Sequence, residues 1–134
     1  MPSPLAKKLL IKPGQQVAVI NAPTDYLNEL GALPEGVTLT ATPNGKFDQA
    51  HLFAKDTKEL KRLAPRALRA LKPDGILWIS YPKGSSKIQT DLTRDVGWDV
   101  VRDAGFEGVS LISVNDVWSA MRFRPSTQVG KKKK

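Results

Sequence analysis

The run from Phe47 to Ser80 constrains the fold of this chain more than any other stretch. It contains an apolar strand around Phe47-Asp48-Gln49-Ala50-His51-Leu52-Phe53, then a helix, then a second apolar strand, Ile76-Leu77-Trp78-Ile79-Ser80. Asp56-Thr57-Lys58-Glu59 opens the helix as a capping box: Asp56 accepts from the backbone of residue 59, and Glu59 reaches back. The helix then sets Leu60, Leu63, Ala64, Ala67, Leu68 and Leu71 on one stripe, with Lys58, Lys61, Arg62, Arg66 and Arg69 mostly outside it. Pro65 lies inside this pattern, where a proline costs ~3 kcal/mol, which predicts a kink or a restart. Pro73 and Asp74-Gly75 are expected to end the helix.

The flanks extend the alternation. Residues 4–11 suit a short amphipathic helix with Leu5, Leu9 and Leu10 inward. Val17-Ala18-Val19-Ile20 is a continuous apolar run, as in a strand buried on both faces. Thr24 or Asp25 can cap a short helix through Leu30. Val37 to Thr42 alternates like a half-buried strand, and Pro43-Asn44-Gly45 is a turn. After residue 89, Thr90 or Asp91 can cap another helix, with Leu92, Val96, Val100 and Ala104 spaced by four. Val109 to Val114 and Val117 to Phe123 form a hairpin turning at Asn115-Asp116. Strands alternating with helices give a three-layer α/β sandwich of about six strands, mostly parallel, with a C-terminal antiparallel hairpin.

One connection conflicts with an all-parallel start. A parallel crossover takes about a dozen residues or more, and only Pro43 to Phe47 separate the second and third strands. Such a segment reaches ~17 Å at most. The second strand is therefore expected to be antiparallel or differently placed.

Composition sets outer limits. The 134 residues are 40% hydrophobic, enough for one domain over 1–125. With no cysteine in the chain, disulfides and thiolate metal sites are excluded. The same absence fits a reducing, cytoplasmic setting, and no apolar run approaches the ~18 residues that span a bilayer. Met1 to Lys12 carries lysines inside its apolar segment and reads as mature protein. Of the net charge of +8, half is the run Lys131 to Lys134. Residues 126–134 are expected to be a flexible basic tail, able to bind nucleic acid weakly and without sequence preference.

Phe47-Asp48 before one apolar strand and Leu71-Lys72-Pro73-Asp74-Gly75 before the next resemble the back half of a class I S-adenosylmethionine-dependent methyltransferase, over roughly residues 47–124. The terminal hairpin fits the same superfamily. The whole chain also resembles a family of short bacterial proteins classed as methyltransferase-like, a likeness that implies a fold and no reaction. The resemblance implies a glycine-rich turn after the first strand and a carboxylate after the second. In their places stand Ile20-Asn21-Ala22-Pro23-Thr24-Asp25 and Thr40-Ala41-Thr42-Pro43. Pro23 has no N–H to offer and fixes φ. Asp25 is a helix cap or a displaced ribose acceptor. No cofactor is expected on this reading, S-adenosylmethionine being unlikely, and a helix and strand of the parent fold are missing.

Ligands in open α/β sheets sit beyond the carboxyl ends of the strands. Asn21, Lys55 and the loop from Tyr81 to Arg94 meet there. Lys83, Lys87 and Arg94 supply charge, Ser85, Ser86 and Thr90 hydroxyls, and Asp91 a carboxylate at a helix start. These residues form either a site for a small anionic ligand or a solvated loop before a capped helix. Asp91 and Asp95 are four apart, as a helix-start charge cluster or an acid–base pair. His51, the single histidine, sits inside a strand, where packing is the default role. Trp78, Trp98 and Trp118 are expected in core or edge packing. Arg122 and Arg124 flank Phe123 in strand alternation, Arg outward and Phe inward.

The sequence reading is therefore a degenerate methyltransferase-like domain, non-catalytic, that binds an anionic ligand at the strand ends. Its alternatives are a methyltransferase with a rearranged cofactor site, or a nucleic-acid or protein interaction module.

Overall fold

The computed structural model describes residues 3–41, 45–84 and 88–125. The expectations for Ser85, Ser86, Lys87, Pro43-Asn44 and the lysine run lie outside those residues. Six strands form one sheet in the order β2-β1-β3-β4-β6-β5. They are β1 (Gln16–Ile20), β2 (Thr38–Thr40), β3 (Phe47–Phe53), β4 (Leu71–Pro82), β5 (Phe106–Ser113) and β6 (Trp118–Pro125). The first four are mutually parallel, and β6 runs antiparallel to both β4 and β5.

Helices cover both faces. On one, α1 (Pro4–Lys8) and α2 (Tyr26–Leu30) bury Ala6, Leu9, Tyr26 and Leu30 against Val17, Val19, Phe53 and Trp78. The other carries α3 (Thr57–Arg69) and α4 (Asp99–Asp103), with Leu60, Leu63, Ala64, Trp98 and Val101 on Ala50, Leu52, Leu77, Ile79 and Phe123. The indole N–H of Trp78 donates to the carbonyl of Leu9 at 3.0 Å, tying the end of α1 to β4.

Several local expectations are corrected. β2 is parallel to β1, with Gln16 opposite Thr38 and Ala18 opposite Thr40. The short link to β3 suffices because β2 has only three residues. Its end lies level with Ala18, and Phe47 lies about three residues lower on the far side of β1. That gap is ~14 Å (two strand spacings across, ~10 Å along), and the connecting residues reach further. Leu10 is 40% exposed at φ 62°, so it ends α1 rather than packing inward.

α3 runs unbroken through Pro65. Pro65 and Lys61, whose carbonyl loses its amide partner, are both exposed, so water can satisfy that carbonyl. The helix ends at Arg69, and Leu71 already begins β4, pairing with Phe47. Gly75 is required by close approach: a Cβ there would meet Leu71 Cδ1 at 2.8 Å and the Asp48 carbonyl at 2.9 Å.

The helix expected from Thr90 does not form, and only Asp99–Asp103 is helical. Thr93 Oγ1 accepts from the amides of Asp95 (3.2 Å) and Val96 (3.1 Å), and the Trp98 indole donates to the Thr93 carbonyl at 2.8 Å. Gly97 takes φ 105°. A side chain that satisfies nearby amides offers the backbone an alternative to the helix. Val96 is consequently 59% exposed.

Candidate functional site at the strand ends

From β1 the chain steps outward through α2 to β2, then returns to the other side of β1 for β3. The switch point of this doubly wound sheet thus lies between β1 and β3, where such folds place their ligands. Asn21 stands at that point. It adopts φ 61°, the left-handed region, and its side-chain amide donates to the Phe53 carbonyl at 2.8 Å. After glycine, asparagine is among the residues that reach this conformation most readily. A single Asn thus makes the sharp exit from β1 and ties it to the end of β3.

Asp25 follows at the start of α2. It occupies the N-cap position as expected, but it is exposed and its carboxylate makes no capping hydrogen bond. α2 is fastened instead at its other end. The Asn115 side-chain amide, in the β5–β6 turn, donates to both Glu29 carboxylate oxygens at 2.9 and 3.0 Å. Asn115 Oδ1 also accepts from the amides of Val117 and Trp118, which closes the hairpin at the expected residues.

Beside the switch point, a groove of about 620 Å³ opens between the ends of β3 and β4. Asp56, Lys58, Lys83, Gly84, Ile88, Gln89, Thr90 and Asp91 line it. Asp56 caps α3 by accepting from Glu59 N at 2.9 Å, and Glu59 Oε1 accepts from Lys55 N at 2.9 Å. The box forms, with its return arm one residue earlier than expected. Asp91 accepts from the Thr57 amide at 2.8 Å and the Thr57 hydroxyl at 2.6 Å, docking the loop onto the first turn of α3. The Thr57 hydroxyl, then its amide, hold the Asp91 carboxyl below the usual carboxylate range.

Lys83 Nζ donates to Ser113 Oγ at 2.6 Å, and Lys83 N to the Val117 carbonyl at 2.7 Å. Of the residues expected at an anion site, the structure brings Lys83, Thr90 and Asp91 together in the groove. Asn21 stands at the end of β1, and Lys55 is exposed beyond β3. Arg94 lies at a different cavity, near Asp95 (3.7 Å). Asp91 and Asp95 share no helical face, because no helix forms there. The groove presents two carboxylates beside its two described lysines. Its charges are therefore mixed, and the expected role of anion binder draws no support from it.

His51 has partners that the sequence reading did not identify. Its Nδ1 is 2.7 Å from the Tyr26 hydroxyl, and its Nε2 is 2.8 Å from Gln49 Oε1. Alternation along β3 puts Gln49, His51 and Phe53 on one face, a signal that was available. Burial pushes the imidazole down to about 3, so it is neutral near pH 7 and shut away from the groove. Burial also pushes the Tyr26 hydroxyl well above its ordinary value.

No family model and no curated protein matches the chain. Solved structures do. The ribosomal protein L11 methylase of Lactobacillus delbrueckii subsp. bulgaricus superposes with a TM-score of 0.59 at 16% identity, over 90% of this chain and 74% of that one. The fold is that of the class I S-adenosylmethionine-dependent methyltransferases. The 1,6-didemethyltoxoflavin-N1-methyltransferase of Burkholderia thailandensis, with S-adenosylhomocysteine bound, gives 0.57 at 20% identity, over 91% and 75% of the two chains. The DhpI–SAH complex gives 0.60 at 13% identity, over 93% and 84%.

These likenesses correct the expectation that S-adenosylmethionine is unlikely, since proteins on this same fold hold its demethylated form. The physical reason lies at Asn21. A missing glycine was one of the departures set against the cofactor, and Asn21 supplies glycine's left-handed conformation there at φ 61°. Among the described residues, no helix is long and apolar enough to cross a membrane.

Proposed function

We propose that this chain is an S-adenosylmethionine-dependent methyltransferase with a rearranged cofactor site. In this reading the adenosyl group lies over the β1 turn, and the acceptor enters the groove between the ends of β3 and β4. The observation that carries it is Asn21, left-handed at the topological switch point and bonded across it to Phe53. The Asp25 carboxylate, exposed and without a capping bond, is the group available to accept from a pair of sugar hydroxyls. When bound, the cofactor supplies an electrophilic methyl group.

The chain's own residues position rather than exchange protons. Asp91 is held ionised by Thr57, which makes it an acceptor of hydrogen bonds and a poor base. Lys83 and Thr90 add donors to the same wall of the groove. A nucleophile with a free lone pair needs little more than orientation and exclusion of water.

The test is thermal unfolding with S-adenosylhomocysteine added. A ligand at a hundred times its Kd stabilises by about 2.7 kcal/mol. The wild type is expected to show a saturable rise in Tm, and Asp25→Asn a much smaller one at the same concentration. No rise at millimolar ligand, or an equal rise in Asp25→Asn, contradicts the placement.

A further inference from the structure

A second cavity, of about 420 Å³, lies on the α3–α4 face of the sheet, where β6 and the edge strand β5 meet α4. From it we infer a binding site for a small organic anion with a compact apolar body. The proposal does not rest on the methyltransferase reading.

The volume falls within the range of ligand pockets. Met121, Val109 and Leu111 supply apolar wall, closed behind by Trp98 and Phe123. Val109 and Leu111 are 36% and 42% exposed, so both present apolar surface to the open side of the cavity. Gly108 makes the recess possible. A Cβ there would meet Met121 Sδ at 2.7 Å, and the β5–β6 register shifts between Gly108 and Ser110. Such a bulge re-aims the strand around its extra residue.

Two guanidiniums stand at the rim. Arg102 lies in the last turn of α4, is exposed, and makes no side-chain hydrogen bond or ion pair among the described residues. Arg94 has one ion pair among the described residues, to Asp95 at 3.7 Å with both side chains more than 70% exposed, a pair that water screens. One carboxylate against two guanidiniums leaves the rim positive, and guanidinium forks match carboxylate and phosphate oxygens. Apolar walls beneath a positive rim select an amphiphilic anion over a bare ion or a neutral molecule.

The test is NMR titration of the full chain with benzoate and phenyl phosphate, with benzyl alcohol and benzamidine as neutral and cationic controls. Saturable shifts are expected at the Trp98 indole N–H and the Val109 and Ser110 amides, with neither control binding. Arg94→Ala/Arg102→Ala removes exposed side chains only and keeps the fold. It is expected to weaken the anions at least about tenfold, a loss that one charge-assisted hydrogen bond is enough to cause. Shifts confined to the strand-end groove, equal binding of a control, unchanged affinity in the double variant, or no saturation at millimolar anion would each overturn the proposal.

Discussion

Tyr26 donates its hydroxyl hydrogen to Nδ1 of His51 across 2.7 Å inside the core. The direction follows from the far end of the chain of bonds. Gln49 Nε2 donates to the Leu10 carbonyl at 3.0 Å, which turns Gln49 Oε1 toward His51 Nε2. Nε2 must then carry the ring hydrogen, leaving Nδ1 as the acceptor. Helix α2, strand β3 and the end of α1 are thereby joined by buried polar bonds, each needing its neighbour in one protonation state.

Acid should undo this. The folded imidazole, at about 3, lies below its ordinary 6.5. Between those values the unfolded chain binds a proton that the folded chain refuses, so stability is present above pH 6.5 and is lost as pH falls. The slope is about 1.4 kcal/mol per pH unit. Urea unfolding at pH 7 and pH 5 should show a loss of about 2 kcal/mol in the wild type. His51→Leu should be less stable at pH 7, since Tyr26 and Gln49 lose their partner, and should lack that part of the pH dependence.

Gly75→Ala should be costly for a reason of space alone. The new methyl would sit 2.9 Å from the Asp48 carbonyl, which is backbone and cannot swing away. Overpacking of this kind costs about 1–3 kcal/mol. A urea midpoint within error of wild type would show that β3 and β4 approach less closely at this point.

Asp91 should matter through Thr57. Asp91→Ala removes both acceptors from the first turn of α3, so the Thr57 amide should exchange its hydrogen faster while the amides of β1 and β3 are unaffected. Thr57→Val should loosen the same loop, and the double variant should resemble either single one. Independent, additive effects would mean that the two residues do not act as a pair.

The sequence made some of this legible and hid the rest for identifiable reasons. The Val17–Ile20 run, the Asp56–Glu59 box and the Asn115 turn rest on local chemistry, and each forms close to where local rules put it. The helix expected from Thr90 had the right apolar spacing, but Thr93 captured two amides and the Trp98 indole folded back to Thr93, a competition that spacing does not register. Pro65 breaks no helix because it lies off the apolar stripe, on the face of Lys61 and Arg69, where water reaches the unpaired carbonyl. At the site, Lys83, Thr90 and Asp91 were legible from the position of their loop after a strand. Thr57 as the partner of Asp91, 34 residues away, was not. Asn21 was legible as a residue at the strand ends, but its left-handed backbone, which takes glycine's part in the turn, was not.

The central claim is that Asn21 keeps the β1 turn fit for an adenosyl group, and isothermal titration of S-adenosylhomocysteine into three proteins tests it most directly. Wild type should bind. Asn21→Gly should bind too, because glycine adopts φ 61° freely. Asn21→Ala should bind far more weakly, since a left-handed alanine costs about 1–2 kcal/mol and the bond to Phe53 is gone. No heat from the wild type at millimolar ligand, or equal affinities for the glycine and alanine variants, would contradict the account.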